Sequence, residues 1–102
     1  MSAVMVDVQN LAIQEVKIAE DTLTVELSDG RSISAPLAWY PRLWHGTADE
    51  RQQWRLIGRG EGIHWPDLDE DISLLGLIRG QPSRESAGSL KRWLDERAHY
   101  QQ

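Results

Sequence analysis

The chain has 102 residues, the size of one domain, and its 16 acidic residues against 11 lysines and arginines give a net charge of −5. This charge opposes non-specific binding to a phosphate backbone, so we expect no direct nucleic-acid binding and favour a basic protein partner. The absence of cysteine excludes disulfides, thiolate catalysis and cysteine-ligated zinc.

The sequence also argues against a membrane location. Its longest apolar runs are far shorter than the roughly 18–20 residues that a membrane span needs. Residues 1–10 have no basic segment followed by an apolar one, as a secretory signal would. We therefore expect a cytoplasmic protein that forms one domain over residues 1–102.

The first third of the chain predicts an antiparallel β-meander. Residues 13–18 and 23–27 alternate apolar and polar side chains, and Glu20 and Asp21 between them predict a tight turn. The dipeptide Asp29-Gly30 predicts a type I′ hairpin that leads into a third strand over residues 31–35. The expected core side chains of this meander are Val16, Ile18, Leu23, Val25, Leu27 and Ile33.

Short helices and strands are expected in the middle of the chain. Residues 35–40 predict a short helix with Pro36 in its first turn, and Thr47 with Glu50 predicts a capping box for a helix over residues 48–54. A strand over residues 55–57 follows. Alternating glycines at positions 58, 60 and 62 predict a bulged edge, after which this strand resumes over residues 63–65.

The last third predicts two helices. The first covers residues 72–78, with the acids of residues 69–71 before it and Gly80 after it. The second is an amphipathic helix over about residues 83–100, with Ser83 as its cap. Its expected apolar stripe is Ala87, Leu90, Leu94 and Ala98. The predicted fold class is α+β, a small antiparallel β-meander with short helices and a C-terminal amphipathic helix.

Residues 57–73 contain the side chains best suited to bind a metal or to take part in catalysis. His64, Asp67, Asp69 and Glu70 offer ligands for a loose Mg²⁺ or Mn²⁺ site, but acids before an apolar run are also ordinary at a helix start. The glycine spacing does not fit a nucleotide-binding loop. An EF-hand would need glycine and glutamate where Ile72 and Ile78 stand. We therefore expect no cofactor, no metal and no catalytic residue.

Several short motifs, in this order, resemble the bacterial domain of unknown function 2442 over about residues 11–82. They are Ser-Asp-Gly-Arg at 28–31, Pro-Leu at 36–37, Trp-Arg-Leu-Ile-Gly at 54–58, Gly-Ile-His-Trp-Pro at 62–66 and Leu-Asp-Glu-Asp-Ile at 68–72. The resemblance implies a compact α+β domain and transfers no catalytic motif. Members often stand alone or are encoded beside another small domain, which implies toxin–antitoxin-like pairing. Some relatives continue with a helix-turn-helix domain, whereas residues 83–102 here allow one helix at most.

These features lead to one favoured hypothesis and two alternatives. The favoured function is an acidic, antitoxin-like interaction module that binds a small basic protein, with a homodimer also expected from the final helix and exposed strand edges. The alternatives are a metal-dependent or acid–base enzyme around His64, Asp67, Asp69 and Glu70, and an acidic nucleic-acid mimic that inhibits a DNA-binding protein. The candidate partner-binding residues are His64, Trp65, Asp67, Asp69, Glu70 and Asp71.

Overall fold

Two three-stranded antiparallel sheets organise the protein in the computed structural model, which describes residues 10–100. The first sheet has the order β1 (Ile13–Ala19), β2 (Thr22–Leu27) and β3 (Ser32–Pro36). The second has the order β4 (Arg55–Ile57), β5 (Gly62–Trp65) and β6 (Glu70–Ser73). The α+β prediction is confirmed. The expectation for residues 1–10 lies, apart from Asn10, outside the described residues.

The described part of the chain also forms four α-helices: α1 (Pro41–His45), α2 (Ala48–Gln52), α3 (Leu74–Arg79) and α4 (Ala87–Tyr100). The predicted capping box forms, since the Glu50 N–H donates to the Thr47 hydroxyl at 3.1 Å and the Thr47 N–H donates to the Glu50 carboxylate at 2.8 Å. Within residues 10–100, no helix is long and apolar enough to cross a membrane.

The helix expected over residues 35–40 is wrong. Pro36 ends β3, a single 3-10 turn follows at Leu37–Trp39, and Pro41 takes the first position of α1. Pro36 belongs to an edge strand, where its missing N–H leaves no ladder hydrogen bond unmade. Both prolines suit a first helical turn, and the local sequence alone does not distinguish them.

The first sheet matches the predicted meander, with two local differences. A bulge between Ile13 and Glu15 puts Ile13 and Val16, three positions apart, on the same buried side. The type I′ turn is wrong, because Gly30 has a φ of 94° but Asp29 does not enter the left-handed region. The Gly30 N–H donates to the Leu27 carbonyl at 3.0 Å, which closes a longer loop with glycine as its left-handed residue.

The second sheet overturns two predictions. The alternating glycines do not bulge one strand; they reverse the chain, and Gly58 and Gly60 have φ values of 58° and 92° in the turn between β4 and β5. The helix expected over residues 72–78 begins only at Leu74, because residues 70–73 form β6 against β5. Ser73 caps α3 by accepting a hydrogen bond from the Gly76 N–H at 2.9 Å.

One apolar cluster joins the two sheets and the helices. Most of the expected core residues of β1 and β2 are buried in it, while Ile18 and Ile33 are partly buried against it. Its fully enclosed side chains come from both halves of the chain: Ile13, Leu23, Val25, Leu37, Leu43, Ile63, Trp65 and Leu68. Burial of large apolar groups is the main stabilising contribution in a chain of this size.

Helix α4 contacts the rest of the protein through part of the predicted stripe and through Trp93, which the prediction left out. Trp93 is buried and Leu90 and Leu94 are partly buried, whereas Ala87 and Ala98 are exposed. The helix also begins later than expected, at Ala87, where the Ser86 hydroxyl accepts a hydrogen bond from the Ser89 N–H at 3.0 Å. The Trp93 ring therefore takes the place of the two alanines in the contact surface, to which Leu90 and Leu94 contribute as predicted.

Candidate functional site

The candidate site is built around the turn of residues 66–69, which connects β5 to β6. Pro66 ends β5, and Asp69 adopts a left-handed conformation with a φ of 49° before the chain enters β6. Aspartate tolerates this conformation better than most residues. Leu68 is fully buried in the middle of the turn and anchors it to the core.

Arg42 of α1 holds this turn in place. Its Nη1 donates to the carbonyl oxygens of Leu68 at 3.4 Å and Asp69 at 3.2 Å. Its other guanidinium nitrogens bind the Glu85 carboxylate at 2.6–2.9 Å. The Arg42 side chain is only 15% exposed, and the Glu85 carboxylate neutralises its charge. The same contact lowers the pKa of Glu85.

Strand alternation divides four of the six candidate residues between the two faces of the second sheet, while Asp67 and Asp69 lie in the turn. His64 pairs with Asp71 and Trp65 pairs with Glu70 in the β5–β6 register. His64 and Asp71 lie on the outer face, where Nδ1 of the imidazole and the Asp71 carboxylate are 2.5 Å apart. Trp65 and Glu70 lie on the inner face with Ile63 and Ile72.

The exposed carboxylates belong to the turn and the outer face. Asp67 is exposed, and the side chains of Asp69 and Asp71 are 86% and 67% exposed. We call these three residues the acidic surface. The expectation that such acids begin a helix is wrong, because the first turn of α3 contains no acidic residue.

Trp65 is not available to a partner. Its side chain is fully buried, and its indole N–H donates to the Arg51 carbonyl at 3.1 Å. The prediction that Trp65 contacts a partner is therefore corrected, and its role is in the core. Trp44, on α1, is the tryptophan with the largest described exposure, at 46%.

Glu70 points inward and has an unusual environment. Burial raises its pKa to about 6, and Asp71 and Glu85 nearby act in the same direction, while the Asp71 N–H and Arg42 act against it. One carboxylate oxygen accepts a hydrogen bond from the Asp71 N–H at 3.0 Å. The other is buried and has no hydrogen-bond partner within residues 10–100.

Tyr40 and Glu85 also line the cavity that Glu70 faces, and the sequence did not identify them as site residues. Burial raises the pKa of the Tyr40 hydroxyl, with the negative charge of Glu70 adding to the effect. Arg42 and Glu85 are 43 positions apart, so no local pattern connects them. The sequence signal for Arg42 was its position directly after Pro41, a residue that suits the first turn of a helix.

The arrangement does not gather the residues of the enzymatic alternative. His64 and Glu70 lie on opposite faces of the sheet, and Asp67 and Asp69 lie in the turn. Among residues 10–100, no group of three or more histidine, aspartate and glutamate side chains is placed to hold a metal ion. The geometry offers two adjoining features instead, the acidic surface and a partly acidic cavity, and Asp71 belongs to both.

The fold and site define a small α+β protein with two β-meanders. Residues 13–83 match the family described as "Protein of unknown function (DUF2442)". Because this match covers more than half of the chain, the protein belongs to that family, and the resemblance predicted from its motifs is confirmed. Helix α4 follows the matched residues.

Two solved structures are similar. A crystal structure of a protein of unknown function from Rhodospirillum rubrum has a TM-score of 0.65 and 24% sequence identity, and the match covers 74% of this chain and 94% of that one. A solution NMR structure of an uncharacterized protein from Chromobacterium violaceum has a TM-score of 0.61 and 20% identity, covering 79% of this chain and 74% of that one. Identities this low show a shared fold alone. No curated protein matches the chain.

Proposed function

We propose that the protein is an interaction module that binds a small basic protein inside the bacterial cell, in an antitoxin-like pair, through the acidic surface of Asp67, Asp69 and Asp71. The observation that supports this most strongly is the exposure of three carboxylates on one fixed turn and the strand after it. The net charge of −5 acts in the same direction, because it attracts a basic partner over distances beyond direct contact.

The rigidity of the turn supports the proposal as well. Arg42 binds two successive carbonyl oxygens of the turn, and Leu68 anchors it to the core. A surface already held in one conformation loses less entropy when a partner binds than a flexible loop does. Trp44 on the same helix as Arg42 adds exposed aromatic area of the kind that is enriched at protein interfaces.

Affinity capture from bacterial lysate tests the proposal. The wild type is compared with the triple variant Asp67→Asn, Asp69→Asn, Asp71→Asn, and the captured proteins are identified by mass spectrometry. We expect one dominant basic protein with the wild type. After purification, that protein should bind the triple variant at least about tenfold more weakly, and wild-type binding should weaken steeply as salt is raised.

A second triple variant controls for overall charge. Glu15→Gln, Glu20→Gln and Glu96→Gln neutralise three exposed acids outside the acidic surface and change the net charge by the same amount. This control should keep wild-type affinity for the captured protein apart from a small long-range effect. Equal losses in both variants, or the lack of any captured basic protein, would refute the proposed function.

A further inference from the structure

Strand β6 is a short edge strand that few contacts hold in place. In the described part of the chain its four residues pair with β5 alone, since the second sheet has the order β4, β5, β6. Ile72 is its one buried apolar side chain. Asp69, directly before the strand, has a left-handed φ of 49°, which costs a residue with a side chain free energy. Segments with few buried contacts and local strain open more readily than the whole protein unfolds.

Glu70 turns its carboxylate inward from this strand. Its Oε1 atom accepts a hydrogen bond from the Asp71 N–H at 3.0 Å. Its Oε2 atom is buried and makes no hydrogen bond to any group of residues 10–100. A buried oxygen without a donor costs free energy, and the cost is greater when the carboxylate is charged. The inward position of Glu70 therefore suits the neutral carboxyl and disfavours the ionised one.

The cations near Glu70 do not pair with it. Arg42 of α1 acts on Glu70 through its charge, but its guanidinium binds the Glu85 carboxylate at 2.6–2.9 Å and lies 3.5 Å from the Asp69 carboxylate. Arg84 lines the cavity beside Glu70 and makes no ion pair with another described residue. Glu70 is therefore left without a compensating partner of its own within residues 10–100.

The remaining titratable groups around Glu70 add to the cost of its charge. Those that act on Glu70 or line its cavity are Tyr40, Asp71 and Glu85. The Tyr40 hydroxyl is itself buried without a hydrogen-bond partner among residues 10–100, and Asp71 and Glu85 contribute negative charge. His64 of β5 lies on the opposite face of the sheet, where it binds Asp71.

The space beside β6 gives the ionised carboxylate a route to water. A cavity of about 400 Å³ is lined by residues 70–73 and, from other parts of the chain, by Gly76 of α3 and residues 81–85. A displacement of β6 towards this space brings the Glu70 carboxylate to water without unfolding the first sheet. Once there, the carboxylate has its ordinary hydration and its charge costs nothing.

The protonation of Glu70 is therefore linked to the position of β6. Burial raises the pKa of Glu70 from 4.5 to about 6, whereas a solvated Glu70 keeps the ordinary value. The preference for the closed strand is complete below pH 4.5 and is lost as the pH rises through about 6. The difference between the two pKa values corresponds to a change of roughly 30-fold in the ratio of open to closed molecules.

We propose that protonation of Glu70 controls a local opening of β6. With the carboxyl neutral, Glu70 stays inside and β6 stays paired with β5. With the carboxylate ionised, β6 leaves β5 by rotation at Asp69 in a minor open state, and Asp71 leaves His64 with it. Leu68 and the bonds of Arg42 to the turn keep residues 66–68 anchored in both states.

Amide hydrogen exchange, followed by NMR on the full chain at about pH 5 and about pH 7.5, tests the proposal. The reporters are Leu74, whose N–H donates to the Glu61 carbonyl at 2.9 Å, and Ile72, whose N–H faces β5 by strand alternation. After correction for the intrinsic exchange rate, their protection should fall by at least about tenfold between these pH values. Val25 in the central strand β2 is the reference for global unfolding.

Urea separates local opening from global unfolding. At about pH 7.5 the exchange of Ile72 should be faster than that of Val25 and should depend little on low concentrations of urea, because a local opening exposes little surface. The exchange of Val25 should rise steeply with urea. This comparison uses the wild type alone, so it decides the question even if a variant does not fold.

The variant Glu70→Gln assigns the pH dependence to this carboxyl. Its amide cannot ionise, so Ile72 and Leu74 should keep at about pH 7.5 the protection that they have at about pH 5. Glu96→Gln, which changes an exposed acid on α4, is the matched control and should follow the wild type.

Three results would overturn the proposal: constant protection of Ile72 and Leu74 across this pH range, the same fall in Glu70→Gln as in the wild type, or equal urea dependence of Ile72 and Val25 at about pH 7.5. The measurement uses the protein alone. Its outcome is therefore independent of whether a basic partner is captured, and the proposed function stands or falls separately.

Discussion

Glu70 shows how one residue can make the protein sensitive to mild acidity. Burial raises its pKa from 4.5 to about 6, so the folded protein holds this proton more tightly than the unfolded chain does. The groups that set this value are Arg42, Asp71, Glu85 and the Asp71 N–H. Stability from this residue is therefore highest below pH 4.5 and is lost as the pH rises through about 6.

We expect Glu70→Gln to remove this pH dependence. Between about pH 4.5 and 6.5, ionisation of Glu70 should cost the wild type about 1 kcal/mol of unfolding free energy, a value that allows for partial solvent screening. Urea unfolding at several pH values in this window measures the slope. The variant should be more stable than the wild type at neutral pH, and Glu96→Gln, which changes an exposed acid, should follow the wild type. Identical slopes in wild type and Glu70→Gln would contradict the burial of this carboxylate.

At the scale of elements, one ion pair and one indole ring hold α4 against the helices before it. The guanidinium carbons of Arg42 and Arg97 lie 5.1 Å and 4.6 Å from the centre of the Trp93 ring. Arg97 binds both oxygens of the Glu50 carboxylate at 2.8–2.9 Å. Because Glu50 also completes the capping box of α2, one carboxylate links the start of α2 to the last turns of α4.

We expect Glu50→Gln to loosen the attachment of α4. It should also remove a contribution to the free energy of unfolding that is lost in acid. The hydrogen bonds from Arg97 lower the pKa of Glu50 from 4.5 to about 2, so its stabilisation is complete above pH 4.5 and is lost as the pH falls towards 2. Since both side chains are largely shielded, at 18% and 20% exposure, we expect a loss of about 1–2 kcal/mol at neutral pH.

The exposed pair of Lys91 and Asp95 on the same helix provides the control. Its nitrogen–oxygen distance of 3.0 Å is similar, but its side chains are 77% and 66% exposed. Lys91→Gln should therefore change the unfolding free energy by about 0.5 kcal/mol or less. Thermal or urea unfolding of both variants gives the comparison, and equal effects would show that α4 is not anchored through Glu50.

The sequence predicted the first sheet well and the second sheet poorly, for a physical reason. Strand β2 alternates along its length, β1 alternates from Val16 onward, and their turn is short, so local pattern and final pairing agree there. Only two positions of residues 70–73 face the apolar core, and acidic residues precede this segment. Such a pattern fits the start of a helix equally well. Their identity as a strand depends on pairing with β5, which no local pattern contains.

The candidate site was predicted only in part, because some of its features also depend on pairing between distant segments. The acids at 67, 69 and 71 are exposed as a polar turn would suggest, and His64 points away from Ile63 and Trp65 as strand alternation requires. The inward position of Glu70 follows only once β6 is known. The contact of Arg42 with Glu85 spans 43 positions and depends on how the helices pack. Patterns of short period carry no information on such contacts.

At the scale of the whole molecule, exposed apolar side chains support the expected homodimer. Trp44, Ile57, Leu75 and Ile78 are the large apolar residues with the greatest described exposure, at 40–46%. Two of them belong to α3, next to the edge strand β6. Unpaired strand edges and apolar patches favour association with a second copy.

We therefore expect a species of twice 11.6 kDa in sedimentation at micromolar concentration. The double variant Leu75→Asp, Ile78→Asp should shift it to a monomer, because a charge at each position opposes burial in an interface. Lys91→Gln, on α4, should leave the mass unchanged. A wild-type species of 11.6 kDa alone would show that the dimer prediction is wrong.

The two sheets are joined at one close backbone contact. The Ile13 N–H at the start of β1 donates to the Gly60 carbonyl in the β4–β5 turn at 2.8 Å. A side chain at position 60 would place its Cβ 2.6 Å from the Ile13 carbonyl oxygen and 2.8 Å from its nitrogen. Backbone atoms cannot move aside as a flexible side chain can, so this approach requires glycine.

Gly60→Ala should therefore destabilise the whole protein. Gly30→Ala separates the effect of backbone strain from the effect of the steric clash. Both glycines have a φ above 90°, but a Cβ at position 30 meets nothing within 4 Å. Gly30→Ala should cost about 1–2 kcal/mol from backbone strain alone. Gly60→Ala adds the steric clash and should cost about 2–3 kcal/mol more, or prevent folding. Urea unfolding measures both, and equal losses would mean that the sheets do not depend on this contact.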